Sequence, residues 1–314
     1  MGKQYTLGCF SIYDGASQPT HIGGTNVDFP LNVEVMGNDS GALYEEFQSL
    51  TRVDPVATIT TKNIAQVLSF IGLAGQCVGS AFDVTAVDVI TRRVGDCQSA
   101  LGGTPHMRDR VSAGLLTLGT LSASRGQDAT ITAMLDAITD GSNAPVARTD
   151  GVALPTPIVA ERFTLGLPAI AGSTWPEIED VSIEFNVTKT EKTPSLGSIW
   201  TDAIGVLTVR PVVTFRGRDL SKVSNALVAA GASGATHLNT VIQLIARENS
   251  GSFADFGDSD HIAITVAGLV VPENLVSASS NQRATNSIRL VSAYDGTNAP
   301  VLFDLSATYD TTPP

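Results

Sequence analysis

The sequence predicts two tandem, similar, mainly β domains, each interrupted by one short helix. Three observations carry this. The chain repeats itself: Val53, Pro55, Val56, Thr58 and Val67 return as Val209, Pro211, Val212, Thr214 and Val223, all 156 positions on. Asp140-Gly141-Ser-Asn143-Ala-Pro145-Val146 returns 155 positions on as Asp295-Gly296-Thr-Asn298-Ala-Pro300-Val301. Within each half, apolar and polar residues alternate over several segments, the period of half-buried strands. A period of this size is that of a whole domain rather than of a solenoid unit. The expected organisation is copy one over 1–150, a linker over 151–162 and copy two over 163–314.

Weaker anchors keep the same register. Tyr5-Thr-Leu-Gly8 matches Phe163-Thr-Leu-Gly166, and Val27, Phe29, Leu31 and Val33 match Val181, Ile183, Phe185 and Val187. The latter sets predict one half-buried strand from Val27 to Val35 and its counterpart from Val181 to Val187. Phe82 to Ile90 and Thr240 to Ala246 continue the alternation, as do Phe303, Leu305, Ala307 and Tyr309 at the end.

One helix per copy follows the Pro-Val-x-Thr anchor. Ile64, Val67, Leu68 and Ile71 fall at i, i+3, i+4 and i+7, an apolar stripe along one helical face, and Leu220, Val223 and Leu227 repeat most of it. Thr60 or Thr61 is the expected cap of the first helix, Asp219 suits the first turn of the second, and the expected stops are Gly72 or Gly75 for the first and Gly231 for the second. Late in each copy, Asp140-Gly141 and Asp295-Gly296 supply the positive φ of a tight hairpin. Pro145 and Pro300 then suit a strand start, because they donate no N–H. Between the copies, Pro155 and Pro157 favour extended backbone and a short, semi-rigid linker.

Each copy also has a less regular stretch, 91–110 and 248–260. Arg92, Arg93, Arg108 and Arg110 form a small basic cluster in the first, and Asp255, Asp258 and Asp260 an acidic one in the second. These are the candidate subunit contacts, with the arginines expected to meet acidic groups on a neighbour.

Composition narrows the function classes. The formal net charge is −12, and each half carries −6, which argues against a basic nucleic-acid-binding half. The opening residues lack the apolar core of a secretory leader, and no run approaches the ~20 apolar residues that span a bilayer. Cys9, Cys77 and Cys97 all lie in the first half, odd in number and without CxxC spacing, so reduced structural thiols are expected.

Catalytic patterns are sparse. Gly75-Gln-Cys77-Val-Gly79 mimics a nucleophile elbow, but a helix precedes it and strand-like residues follow, the reverse of what that turn needs. His21, His106, His237 and His261 are scattered without metal-ligand spacing, and the aspartates of 255–260 lack an EF-hand's order. No catalytic residue, cofactor site or metal site is expected. The repeated turns and helix stripes read as structural residues.

The alternating β segment, the short helix beside Pro-Val-x-Thr and the late turn at Asp-Gly-[Ser/Thr]-Asn-Ala-Pro together resemble the tail tube (major tail) proteins of long-tailed bacteriophages, twice over. Residues 5–150 and 163–310 each look like one tube domain. The resemblance implies a β-sandwich or half-barrel flanked by a helix, and a trimer forming six-fold pseudo-symmetric rings that stack into a hollow conduit. It also implies a location in the virion tail after assembly in the host cytoplasm. The implied partners are other copies of the chain, a tape-measure protein, tail terminator and tail-tip proteins, and double-stranded DNA in passage, with no membrane.

Overall fold

A computed structural model describes residues 4–15, 19–38, 47–94, 105–155, 161–170, 173–190, 192–194, 198–218, 238–248, 252–254, 257–278, 280, 284–294, 296–297 and 299–309. The first half contributes β1 (Gln4–Tyr13), β2 (Thr20–Ile22), β3 (Gly24–Asp28), β4 (Val33–Asn38), β5 (Phe47–Val53), β6 (Val56–Thr61), α1 (Ile64–Ile71), β7 (Gln76–Val78), β8 (Ala86–Val94), β9 (His106–Val111), β10 (Gly114–Ser124), β11 (Thr130–Ala137) and β12 (Val146–Val152). The second contributes β13 (Phe163–Leu165), β14 (Ala169–Ile170), β15 (Ser173–Thr174), β16 (Ile178–Glu184), β17 (Val187–Lys189), β18 (Thr193–Pro194), β19 (Thr201–Ala203) and β20 (Val206–Val209). It ends with β21 (Val212–Gly217), β22 (Leu238–Ala246), β23 (His261–Ser277), β24 (Thr285–Ser292) and β25 (Val301–Ala307).

The fold is mainly β, as the alternation predicts. Among the described residues a 14-stranded antiparallel sheet spans both halves, with β3-β6-β11-β10 followed by β16-β21-β24-β23-β22. A 5-stranded sheet, β12-β9-β8-β1-β2, lies across the first half of it. Their facing sides share one apolar core: Phe10, Ile12, Val87 and Val89 from the small sheet, and Ile59, Leu118, Leu121, Ile131 and Leu135 from the large one. That core continues without a break into Ile183, Phe185, Phe215, Ile264 and Leu290 of the second half. Burying side chains of this size stabilises by about 1.5–3 kcal/mol each.

Helix α1 buries Ile64, Val67, Leu68 and Ile71, the stripe the sequence shows. Gly72 ends it at φ +61, donating its N–H to the Leu68 carbonyl. The start differs from expectation. Asn63 is the N-cap and makes no capping bond, while Thr61 Oγ1 accepts the Asn63 N–H one step earlier. The orphan N–H of Ala65 is satisfied by Glu161 Oε2 at 2.9 Å, from beyond the first half. The second stripe, Leu220, Val223 and Leu227, lies outside the described residues.

Several local expectations are corrected. The strand predicted from Val27 to Val35 breaks at Asn32, and its counterpart breaks at Asn186; both asparagines take φ +45. Asn tolerates that left-handed backbone better than most residues. After each break the chain leaves the sheet in a separate hairpin, β4–β5 and β17–β20, so Leu31, Val33 and Val35 are exposed rather than half-buried. The strand expected at Phe82 begins at Ala86.

The turn at Asp140 is not a hairpin. It carries the chain from β11 in the large sheet to β12 in the small one. Asp140 Oδ1 accepts the N–H groups of Ser142 and Asn143, Asn143 Nδ2 donates to Asp140 Oδ2, and Thr139 Oγ1 donates to the Asn143 carbonyl. Gly141 takes φ +87 and Gly296 φ +95; Pro145 and Pro300 precede β12 and β25 as expected. Asp295 and Asn298 lie outside the described residues.

Candidate functional site: an assembly surface

The arginines expected in a loop belong to strands. Arg92 and Arg93 extend β8 to Val94, and Arg108 and Arg110 alternate with Asp109 along β9. That alternation puts Arg108 and Arg110 on one face, opposite buried Asp88 of β8. Arg110 grips Asp88 with both ends of its guanidinium fork, at 2.7 and 2.8 Å, and Arg108 lies 3.8 Å away. Arg110 also stacks over the Tyr13 ring. So Arg108 and Arg110 meet their acidic partner inside the chain, where Asp88 needs a countercharge. On the opposite face, Asp109 takes a bidentate pair from Arg148 of β12. Asp258 and Asp260 are exposed, and Asp255 lies outside the described residues.

Among the described residues no group of three His, Cys, Asp or Glu is placed to hold a metal. Cys9 is buried, which pushes its thiol up to about 11. Cys77 sits in β7, a strand, and the histidines nearest in expectation are engaged elsewhere. His21 Nδ1 lies 2.7 Å from Ser11 Oγ, and His106 Nδ1 accepts the Arg93 N–H. Ser11 itself is fully buried, so that Ser–His contact is packing. Cys97 lies outside the described residues.

What the structure does present is an extended surface. The face of the large sheet turned away from the core carries short hydroxylic side chains on strand after strand: Thr58 and Thr60, Thr130 and Thr132, Thr120 and Ser122, Ser182, Thr214, Thr285 and Ser287. Charges on it are few: Asp28, Asp180, Glu184 and Glu273, against Arg216 and Arg289. This pattern follows from period-2 strands whose other side faces the core.

The halves are joined edge to edge within that sheet. Thr120–Ser124 of β10 pair with Asp180–Glu184 of β16, Ser122 opposite Ser182. Side chains fasten the join. Asp128 takes Lys62 at 2.9 Å from its own half, Arg162 at 3.2 Å from the end of the linker and Arg247 at 3.7 Å from the second half. The hydrogen bond from Lys62 holds the Asp128 carboxyl below its ordinary 3.8. Asp136 of β11 is paired with Lys189 of β17 and with Lys192 at 3.1 Å. The Val53 N–H donates to the Ile199 carbonyl at 2.9 Å, and Thr201 pairs with Asp54.

The strand pairs of the two halves run in parallel series. The series β3:β6, β6:β11 and β11:β10 corresponds to β16:β21, β21:β24 and β24:β23. Likewise β8:β9 and β9:β12 correspond to β22:β23 and β23:β25. Single bonds repeat too. The Ala137 N–H meets the Pro55 carbonyl as Ser292 meets Pro211, and the Ile138 N–H meets Ala113 as Ala293 meets Ala267.

No protein-family model matches the chain, and no curated protein matches it in sequence. No helix among the described residues is long and apolar enough to cross a membrane.

Proposed function

We propose that this chain is a structural subunit of a bacteriophage tail tube, built from two tandem tube modules, 1–150 and 163–314, joined by a linker over 151–162. Three chains form a ring with six similar seats, and rings stack into a hollow conduit through which double-stranded DNA is delivered. The hydroxyl-rich face of the large sheet is the lumen side. Its sparse, mixed charge offers no basic track to hold a phosphate backbone, so duplex slides rather than binds. A tape-measure protein occupies the lumen before DNA does, tail terminator and tail-tip proteins close the ends, and the protein resides in the virion.

The single observation that carries this reading is the junction of β10 with β16. A sheet that already passes from one module to the next by edge pairing has the means to pass onward to another chain. Heterologous contacts of that kind close into rings laterally and continue as open filaments axially. The reading treats the chain as a non-enzyme with no cofactor.

Negative-stain microscopy of the purified protein tests it. Hollow striated filaments of open-ended length are expected. A cap, hub or head decoration protein would stop at a single ring or stay monomeric, and that result would replace this reading with one of those virion roles.

A further inference from the structure

Two of the open edges of the large sheet bear on how it could be extended. At one end β3 pairs with β6 alone. Beyond Gly268, β23 pairs with β24 on one side and with no described strand on the other. These edges correspond by position to the two strands that meet inside the chain. Ser277 faces Thr285 on β24 as Ser122 faces Thr130 on β11, which sets β23 against β10. Val27 faces Ile59 as Val181 faces Phe215, and the pairs share a one-residue register shift at Gly24/Asn26 and Ile178/Asp180. That sets β3 against β16.

A second observation concerns what lies beside those edges. Within the chain, Lys189 of β17 reaches across the junction to Asp136 of β11. Hairpins β17–β20 and β4–β5 share their register, Lys189 opposite Val206 as Val35 is opposite Leu50. So the position of Lys189 is held by Val35 in the first half, and that of Asp136 by Val291 in the second. Both valines stand in solvent, 57 % and 38 % exposed, with Val33 at 51 % beside one and Val271 at 37 % beside the other. Where the internal junction has a charge pair, the open edges carry solvent-exposed apolar side chains.

From these we infer that the chain binds a second copy of itself head to tail: the β23 edge of one copy pairs antiparallel with the β3 edge of the next, Ser277 opposite Asp28, and Val33 and Val35 of that next copy seat on Val271 and Val291. The two edges differ, so the contact is heterologous and each chain uses both. It covers strand edges that otherwise invite uncontrolled pairing. The inference rests on the tandem-module part of the reading above and not on the tail assignment.

The test transplants the internal charge pair into the open junction and measures association by sedimentation velocity over a concentration series. Val291→Asp alone and Val35→Asp alone place an unpaired carboxylate in an apolar contact, and each is expected to weaken association by at least about tenfold. Val291→Asp combined with Val35→Lys recreates the Asp136–Lys189 arrangement and is expected to restore it. Because both sites are exposed, the variants keep the wild-type circular dichroism spectrum. Undiminished association of Val35→Asp or Val291→Asp overturns the inference, as does failure of the Lys–Asp combination to restore it. Insensitive filaments would leave the tail-tube reading standing, while a charge-sensitive oligomer that never stacks would leave the inference standing without it.

Discussion

His106 and His261, 155 positions apart, hold the same post in their halves. Each ring is fully buried, and each Nδ1 accepts a backbone N–H from the preceding strand: Arg93 at 3.1 Å for His106, Ala246 at 3.0 Å for His261. An Nδ1 that accepts must carry its lone pair, so both imidazoles are set as the tautomer protonated at Nε2. The two histidines therefore tie β8 to β9 and β22 to β23 by one device.

Replacing either ring with an apolar side chain takes away the acceptor that the ring offers this N–H, a cost of about 1–3 kcal/mol. His106→Leu and His261→Leu are each expected to lower the urea midpoint, by similar amounts. Asn in place of His keeps a short acceptor and is expected to recover part of the loss. A neutral result for one and a large loss for the other would break the correspondence.

Gly114 and Gly268 make a second matched pair. A Cβ on Gly114 would lie 2.2 Å from the Asp136 carbonyl oxygen, and one on Gly268 would lie 2.2 Å from that of Val291. The obstacle is strand backbone in both cases, which cannot swing aside. Gly114→Ala and Gly268→Ala are each expected to destabilise by roughly 1–3 kcal/mol through overpacking. Thermal unfolding measured by calorimetry checks this.

How far this was legible in the sequence depends on side chain rather than on element. The repeat shows through Pro55/Pro211 and Gly141/Gly296, because the backbone at these positions admits few residue types. His106/His261 and Gly114/Gly268 stand 155 and 154 positions apart but amid dissimilar neighbours, so they carry no visible signal. The strand breaks were missed because an apolar alternation runs on through Leu31 and Val33, while the positive φ of Asn32 turns the chain out of the sheet. Arg108 and Arg110 looked like a loop cluster; their period-2 spacing around Asp109 was the strand signal, and the partner Asp88 needed the β8:β9 register to be found. The hydroxyl-rich face was out of reach until strand order was known, since its residues come from both halves.

Asp128 makes the join between halves pH-dependent. Its folded pKa lies below 3.8, held there chiefly by the Lys62 hydrogen bond and further by Arg162, against the opposing effect of burial. A depressed carboxyl contributes stability that is present above its ordinary value and is lost as pH falls through the folded one. Asp128→Asn is therefore expected to be less stable than wild type at neutral pH, with the gap closing as pH drops below 3.8. Urea titrations at pH 7 and pH 3 read this directly. A gap of constant size would assign the effect to packing.

Glu161 should separate capping from charge. Burial pushes its carboxyl up, and its Oε2 accepts the Ala65 N–H at the start of α1. Glu161→Ala removes that acceptor and is expected to cost about 1 kcal/mol, as loss of a helix cap does. Glu161→Gln keeps an acceptor without the buried charge and is expected to match or exceed wild-type stability at pH 7. Equal losses in both variants would mean that the charge itself is needed.

Cys9 should be inert while the protein is folded. With its thiol raised to about 11, only about one molecule in a thousand carries the thiolate at pH 8. Iodoacetamide labelling followed by peptide mass mapping is expected to modify Cys77 in the native protein and Cys9 only after denaturation. Native labelling of Cys9 at the rate of Cys77 would contradict its buried placement.

The account stands on two halves of one chain filling similar seats around a channel, and the most direct measurement is native mass together with end-on class averages of the assembled ring. Three chains of 32.7 kDa each, displaying six similar lobes around an open centre, is the predicted result. Six chains per six-lobed ring, or a protein that stays a 32.7 kDa monomer at high concentration, would contradict it.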